Sequence, residues 1–206
     1  MKVRYSMENN NLKNISAVIL SGGKSSRMGE DKSLLKFSSD NSMCEYQYKK
    51  LLKIFDKVYI SSKIDKFDFL DEKDKLILDG TNIFSPMVAL ESIFERIEEE
   101  KIFIITVDMP LISVEVINRL IEVSQKNNYE IVIAKDNQGN RHSLCGVFDR
   151  SILSKIKKYL NSDIHKINYL INNCNYKELI FDNYNQFINI NTKEQYTQAQ
   201  KIIKNS

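Results

Sequence analysis

Histidine and cysteine are scarce in this chain, with two and three residues respectively among 206. The cysteines, Cys44, Cys145 and Cys174, are odd in number and widely spaced. That excludes a disulfide framework and a zinc-ligand pattern, and His142 and His165 alone make no histidine-rich metal centre. Charge of one sign is also missing: 30 basic against 27 acidic residues leave a formal net charge of +3. So even a balance gives no argument for a nucleic-acid or membrane partner. No apolar run is long enough to span a bilayer, and the opening residues MKVRYSMENNNLKN contain no apolar signal core. The expectation is a protein of the reducing cytoplasm. Residues 1–14 read as a flexible lead-in and 15–206 as one domain.

What is present is an alternation of short β-type runs with longer helical ones, without internal repeats. Strands are predicted over 15–20, 57–61, 76–78, 101–106, 130–134, 144–148, 176–181 and 187–190. Helices are predicted over 44–55, 87–99, 114–125, 151–160, 163–171 and 193–203. Ile102-Phe103-Ile104-Ile105 is apolar on both faces, as a parallel strand covered by helices on each side must be. The pattern predicts a three-layer α/β/α domain with a mostly parallel central sheet. Ser113 reads as an N-cap, Thr192 with Gln195 as a capping box, and 136–140 as a turn. In such a sheet, ligands bind beyond the carboxyl ends of the strands. Attention therefore falls on the loops after Leu20, Ser61, Leu78, Thr106 and Ile190.

The first of these loops, LSGGKSSRMGEDKSLLKF over 20–37, holds a glycine pair and a cluster of basic side chains. It is not a Walker A loop, because Val18 stands where that pattern needs glycine, and Gly22, Gly23 and Gly29 do not have dinucleotide-fold spacing. The physical ingredients of a phosphate cradle remain. Gly22 and Gly23 let the backbone turn off a strand and approach a ligand, and successive N–H groups can form an anion nest. Lys24, Arg27, Lys32 and Lys36 outweigh Glu30 and Asp31. Arg27 suits bidentate phosphate contact and Lys32 a movable point charge.

Leu20-x-Gly22-Gly23-x-x-x-Arg27-Met28-Gly29-x-Asp31-Lys32 resembles the signature of the Rossmann-like nucleotidyltransferases. It looks most like that of the molybdenum cofactor guanylyltransferases (MobA-like). Further segments match in order. Thr106-Val107-Asp108-Met109-Pro110 resembles the family's metal-binding D-x-P, although an aspartate there also serves as a turn or cap residue. Phe187-Ile188-Asn189-Ile190-Asn191-Thr192 resembles N-x-N-T-P with Lys193 in place of proline. On its own chemistry Asn191 serves equally as a helix cap. Asp79-Gly80 with Ser85-Pro86-Met87 resembles an aspartate followed by Gly-Pro-Leu. Arg141-His142-Ser143-Leu144-Cys145-Gly146 resembles H-P-L-C-G, with Ser143 replacing proline. By their residue types, His165 and Cys145 are read as structural.

The resemblance implies transfer of GMP from GTP to the terminal phosphate of molybdopterin, with Mg²⁺ as cofactor. It implies Arg27, Lys32 and Asp108 as catalytic residues, with Asp108 on the metal. Leu20, Ser21, Gly22, Gly23, Ser61 and Asp79 join Lys32 and Asp108 in nucleotide binding. His142, Asn189 and Asn191 fall on the acceptor side. Other molybdenum-cofactor biosynthesis proteins or molybdoenzyme chaperones are implied as partners. The side chains leave the base open, so a cytidylyltransferase or a transferase acting on another small phosphate stands beside this reading. A non-catalytic nucleotide- or cofactor-binding module is the third.

Overall fold

The computed structural model describes residues 15–22, 31–38, 41–79 and 83–204. The sheet is built from β1 (Ile15–Leu20), β4 (Val58–Ser62), β5 (Leu76–Leu78), β6 (Lys101–Thr106), β7 (Ile131–Asp136), β8 (Arg141–Asp149) and β9 (Tyr176–Phe181). A short hairpin, β2 (Lys36–Ser38) with β3 (Asn41–Ser42), stands apart from it. The helices are α1 (Met43–Leu51), α2 (Pro86–Arg96), α3 (Val114–Lys126), α4 (Leu153–Leu160), α5 (Ile167–Asn172) and α6 (Lys193–Lys204). None is long and apolar enough to cross a membrane.

Strand order is β5-β4-β1-β6-β8-β7-β9, parallel throughout except for β8, which runs against both its neighbours. Alternate residues of the central strands enter separate cores, because side chains in a strand alternate between faces. Ala17, Ile19, Phe103 and Ile105 join α1 and α3 on one side. Val18, Leu20, Ile102 and Ile104 join α2, α4 and α5 on the other. The three-layer α/β/α expectation holds. Each fully buried isoleucine or phenylalanine stabilises this arrangement by about 1.5–3 kcal/mol.

The chain runs from β1 to β4 and β5 on one side, then returns to place β6 on the other side of β1. The order reverses between β1 and β6, and in open sheets of this kind the crevice that takes ligands lies outside the carboxyl ends of the strands at such a point. Pairing of β6 with β8 covers only Lys101↔Asp149 to Ile104↔Gly146, so Ile105 and Thr106 pair with β1 alone. At the same point β8 bulges: Ile133 pairs with Gly146, but Ala134 pairs with His142. Glycine is required there, since a Cβ on residue 146 would lie 2.2 Å from the Val132 carbonyl oxygen.

The predicted caps form. Ser113 accepts from the Val116 N–H at 3.2 Å, and Thr192 and Gln195 exchange bonds of 3.3 and 3.0 Å. Several predicted bounds shift, among them the helix expected over 44–55, which ends at Leu51, and the strand expected over 144–148, which spans Arg141–Asp149. The helix expected over 163–171 begins at Ile167, because Asp163, at φ 58°, closes α4 in a left-handed turn. The Ile164 N–H reaches the Tyr159 carbonyl and the Asp163 N–H that of Leu160, a Schellman closure. The strand expected over 187–190 does not form. Residues Tyr184–Phe187 make a 3-10 turn, capped by the Asn183 side chain. Beyond them Ile190 donates one backbone bond of 2.8 Å to the Asp108 carbonyl, with no ladder.

Candidate active site

β1 ends on Leu20, whose side chain sits in the core and whose carbonyl accepts the Val107 N–H at 3.0 Å. That bond ties the two strand ends on either side of the switch point. Ser21 continues inward, donating its N–H to the Ser61 carbonyl at 2.8 Å, while its buried Oγ has no partner among the described residues. Gly22 is exposed, and a Cβ there would meet nothing within 4 Å. Gly22 thus presents backbone rather than a side chain at the surface. Gly23 and Arg27 lie outside the described residues, as do residues 1–14.

The chain is picked up again at Asp31. Its Oδ1 accepts from the Ser33 N–H at 3.0 Å and the Ser33 hydroxyl at 2.6 Å, and its Oδ2 pairs with Lys66 at 2.5 Å. Burial works to raise the Asp31 carboxyl, but the Lys66 and Ser33 hydrogen bonds outweigh it and hold the group below its usual range. Asp31 is therefore an anchor, capping the 3-10 turn Lys32–Leu34 and fastening it to the segment after β4. Lys32 is delivered from that turn and donates to Asn191 Oδ1 at 2.5 Å.

Asp108 follows β6. Its carbonyl takes the Ile190 N–H, so two consecutive residues, Ile190 and Asn191, hold the Asp108 loop and Lys32 respectively. Four elements distant in sequence converge here: the 3-10 turn, the ends of β1 and β6, and the approach to α6. Asp108 Oδ1 is buried and has no hydrogen-bond partner among the described residues. An orphaned carboxylate oxygen is expensive unless a donor or cation satisfies it. No group of three or more His, Cys, Asp or Glu forms a metal cluster among the described residues. A single carboxylate fits Mg²⁺, which takes few protein ligands and can complete its shell with phosphate and water oxygens.

Ser61 and Asp79 meet at the ends of β4 and β5. The Ser61 hydroxyl donates to Asp79 Oδ1 at 3.1 Å, and Lys63 pairs with Oδ2 at 3.4 Å. Asp79 is buried, and its carboxylate faces Lys63, which also lies over the Phe84 ring. Neither Lys63 nor Lys66 is signalled by the sequence pattern, because lysines in a loop read as solvated.

On the far side of the sheet, His142 stacks on Phe187 with ring centroids 4.6 Å apart, and its Nε2 lies 3.2 Å from Asp136 Oδ2. Asp136 also accepts from the N–H groups of Gln138 and Asn140 and from the Asn140 amide. Burial lowers the His142 pKa against the opposing pull of Asp136. The ring is thus neutral near neutral pH, with Nε2–H donating to the carboxylate. Arg141 is bound to Glu178, Asn172 and Tyr176. The structure brings Lys32, Asp108 and Asn191 together at the crevice. It places His142 in the β7–β8 node, linked to them through Phe187 and the segment that follows it. Asn189 is half-buried in that same segment.

Residues 17–174 match the MobA-like NTP transferase domain. The chain is 36% identical over 195 residues to a molybdenum cofactor guanylyltransferase of Campylobacter jejuni subsp. doylei, covering 94% of this chain and 99% of that protein. It is 33% identical over 206 residues to a protein of the same name from Helicobacter pylori strain G27, covering 96% and 98%. Among solved structures, the molybdopterin-guanine dinucleotide biosynthesis protein A of Archaeoglobus fulgidus superposes with a TM-score of 0.76. That match has 17% identity and covers 93% of this chain and 100% of that one. At that identity the likeness concerns the fold.

Proposed function

The chain belongs to the MobA-like NTP transferase family, and from that premise we propose that it transfers GMP from GTP to the terminal phosphate of molybdopterin. The products are the guanine dinucleotide form of the cofactor and pyrophosphate. The single observation that carries this reading is the bridge Ile190-Asn191, which holds the Asp108 loop and Lys32 together over the ends of β1 and β6. A cation and an unsatisfied carboxylate oxygen at one crevice suit a triphosphate with a divalent metal.

In this mechanism the exposed backbone at Gly22 and the Ser21 hydroxyl, which has no partner among the described residues, take the nucleotide, and the motif resemblance assigns Gly23 and Arg27 to the same task. A phosphate oxygen of the acceptor forms a bond to the α-phosphorus while the bond to the β-phosphate bridging oxygen breaks, and its electron pair leaves on pyrophosphate. The attacking phosphate is already ionised near neutral pH, so no protein nucleophile or general base is called on. Lys32 places positive charge against the triphosphate, and Asn191 sets its direction. Asp108 would hold Mg²⁺, which when bound supplies neutralisation of phosphate charge. Catalysis is then positioning and electrostatics. Ser61 and Asp79, at the ends of β4 and β5, stand on the nucleotide side. Asn189 and His142 stand on the acceptor side. Residues 15–206 act as one cytoplasmic domain, and the labile acceptor and product are exchanged with other proteins of cofactor assembly.

The test is direct. The protein is incubated with Mg²⁺, GTP and a molybdopterin source, and the products are identified by mass spectrometry. A guanine dinucleotide with stoichiometric pyrophosphate is expected. GTP binding without pyrophosphate release would mark a binding module instead, and faster transfer from CTP than from GTP would overturn the guanine assignment.

A further inference from the structure

The loop that carries Asp108 is held from outside at almost every carbonyl. Gln47 on α1 donates from one amide nitrogen to the Thr106 and Met109 carbonyls, at 3.2 Å each. One turn further along the same helix face, Lys50 donates to the Pro110 carbonyl at 3.0 Å and to that of Ile112. With the Ile190 bond to the Asp108 carbonyl, five of the seven carbonyls from Thr106 to Ile112 have donors outside the loop.

These two side chains are costly where they stand. Gln47 is fully buried, and its Oε1 has no partner among the described residues. Burial also pushes the Lys50 amine down to about 8. Leucine or methionine at either position would remove these burial costs but leave the Thr106 and Met109, or the Pro110 and Ile112, carbonyls without these donors. What the two side chains stabilise is thus the conformation of the loop that carries Asp108. The Gln47 and Lys50 donors on the loop are all aimed at backbone flanking Asp108, while the Asp108 carboxylate itself has no partner on Oδ1 among the described residues.

We propose that Gln47 and Lys50 are positioning residues for nucleotidyl transfer. They fix the peptide planes on both sides of Asp108 so that its carboxylate is already aimed into the crevice before metal and nucleotide arrive. This rests on the transfer reading above. A ligand held by a braced loop loses no ordering entropy on binding metal, and the brace acts on the ligand as an outer-shell hydrogen bond does.

The experiment titrates Mn²⁺ into the GTP complex of the full chain, followed by the electron paramagnetic resonance of free Mn²⁺. Gln47→Met keeps the volume and removes the donors. It is expected to weaken Mn²⁺ binding by about tenfold or more, with metal-free GTP binding unchanged. Lys50→Met removes the other pair of donors and is expected to weaken Mn²⁺ in the same direction, giving a second reading if Gln47→Met fails to fold. Gln186→Met is the control: Gln186 accepts the Ser113 N–H at 3.1 Å, at the far end of the loop, and its loss is expected to leave Mn²⁺ affinity at the wild-type value. Wild-type Mn²⁺ affinity in folded Gln47→Met and Lys50→Met, or an equal loss in Gln186→Met, overturns the proposal. Failure of the wild type itself to bind Mn²⁺ with GTP would instead overturn the transferase reading.

Discussion

The two ends of the carboxyl face are built on opposite principles. At the β1–β6 end the backbone is tightly bonded, yet polar side-chain atoms, Ser21 Oγ and Asp108 Oδ1, are buried without partners among the described residues. At the β7–β8 end the polar side chains satisfy one another. Asp136 collects four hydrogen bonds, and Arg141 bonds to three side chains. A region whose groups are all paired is stable as it stands. One that is fixed in its backbone but carries buried polar side-chain atoms without protein partners has hydrogen-bonding capacity to spare. This contrast, more than residue type, separates the two.

The largest expected effect tests the unsatisfied end. Asp108→Asn and Lys32→Ala should each lower the transfer rate at least about a hundredfold, the scale of losing one preorganised charge contact in the transition state. Asp108→Asn should leave stability unchanged or raise it, because a buried atom without a partner costs more when it carries charge than when it is neutral. Rates come from pyrophosphate release and stability from urea unfolding. An Asp108→Asn protein that turns over normally, or that unfolds several kcal/mol more easily, would erase the distinction.

The paired end should behave the other way round. Asp136→Ala removes the acceptor for two backbone N–H groups and two side chains, and is expected to cost about 2–3 kcal/mol of stability. Its turnover per folded molecule should fall far less than that of Asp108→Asn. His142→Asn should cost less still, since one hydrogen bond and one ring stack are lost. Should His142→Asn instead stay fully stable and lose most of its rate, His142 would act on the acceptor itself rather than by holding that side of the site in shape.

The sequence was most legible where burial acts alone. β1 and β6 were readable to the residue, because apolar runs flanked by turn residues have few other uses; the edge strands β5 and β9 also fall on their predicted bounds, though little of either is buried. The run from Phe187 to Ile190 misled: its apolar alternation suits a strand, but no neighbouring edge pairs with it, and its first residue closes a 3-10 turn. The hairpin Lys36–Ser38 with Asn41–Ser42 is too short and polar to announce itself. At the site, Lys32, Asp108 and Asn191 were legible through motif resemblance. The bond between Lys32 and Asn191 was not, for it joins residues 159 apart. Gln47 and Lys50 were invisible for a related reason: polar residues on a helix read as its solvated face until the loop they hold is seen.

The smallest expected effect isolates that brace through its titration. Burial depresses Lys50 to about 8 from an ordinary 10.5. Between those values the unfolded chain binds a proton that the folded chain does not, so stability rises with pH across the window. Below about 8 both states are protonated and the full cost of burying the charge is present. Cys44, Cys145 and Cys174 are all raised from 9.0 in the folded state, so their ionisation in the unfolded chain favours unfolding as the pH approaches and passes 9, but it does so alike in wild type and in Lys50→Met. The readout is therefore the difference between the two proteins: from pH 8 to 9 wild type should gain about 1 kcal/mol relative to Lys50→Met in urea unfolding, against a maximal slope of about 1.4 kcal/mol per unit for one proton. Parallel pH profiles for the two proteins would mean that the amine is not buried as the structure places it. The brace would then reduce to Gln47 alone.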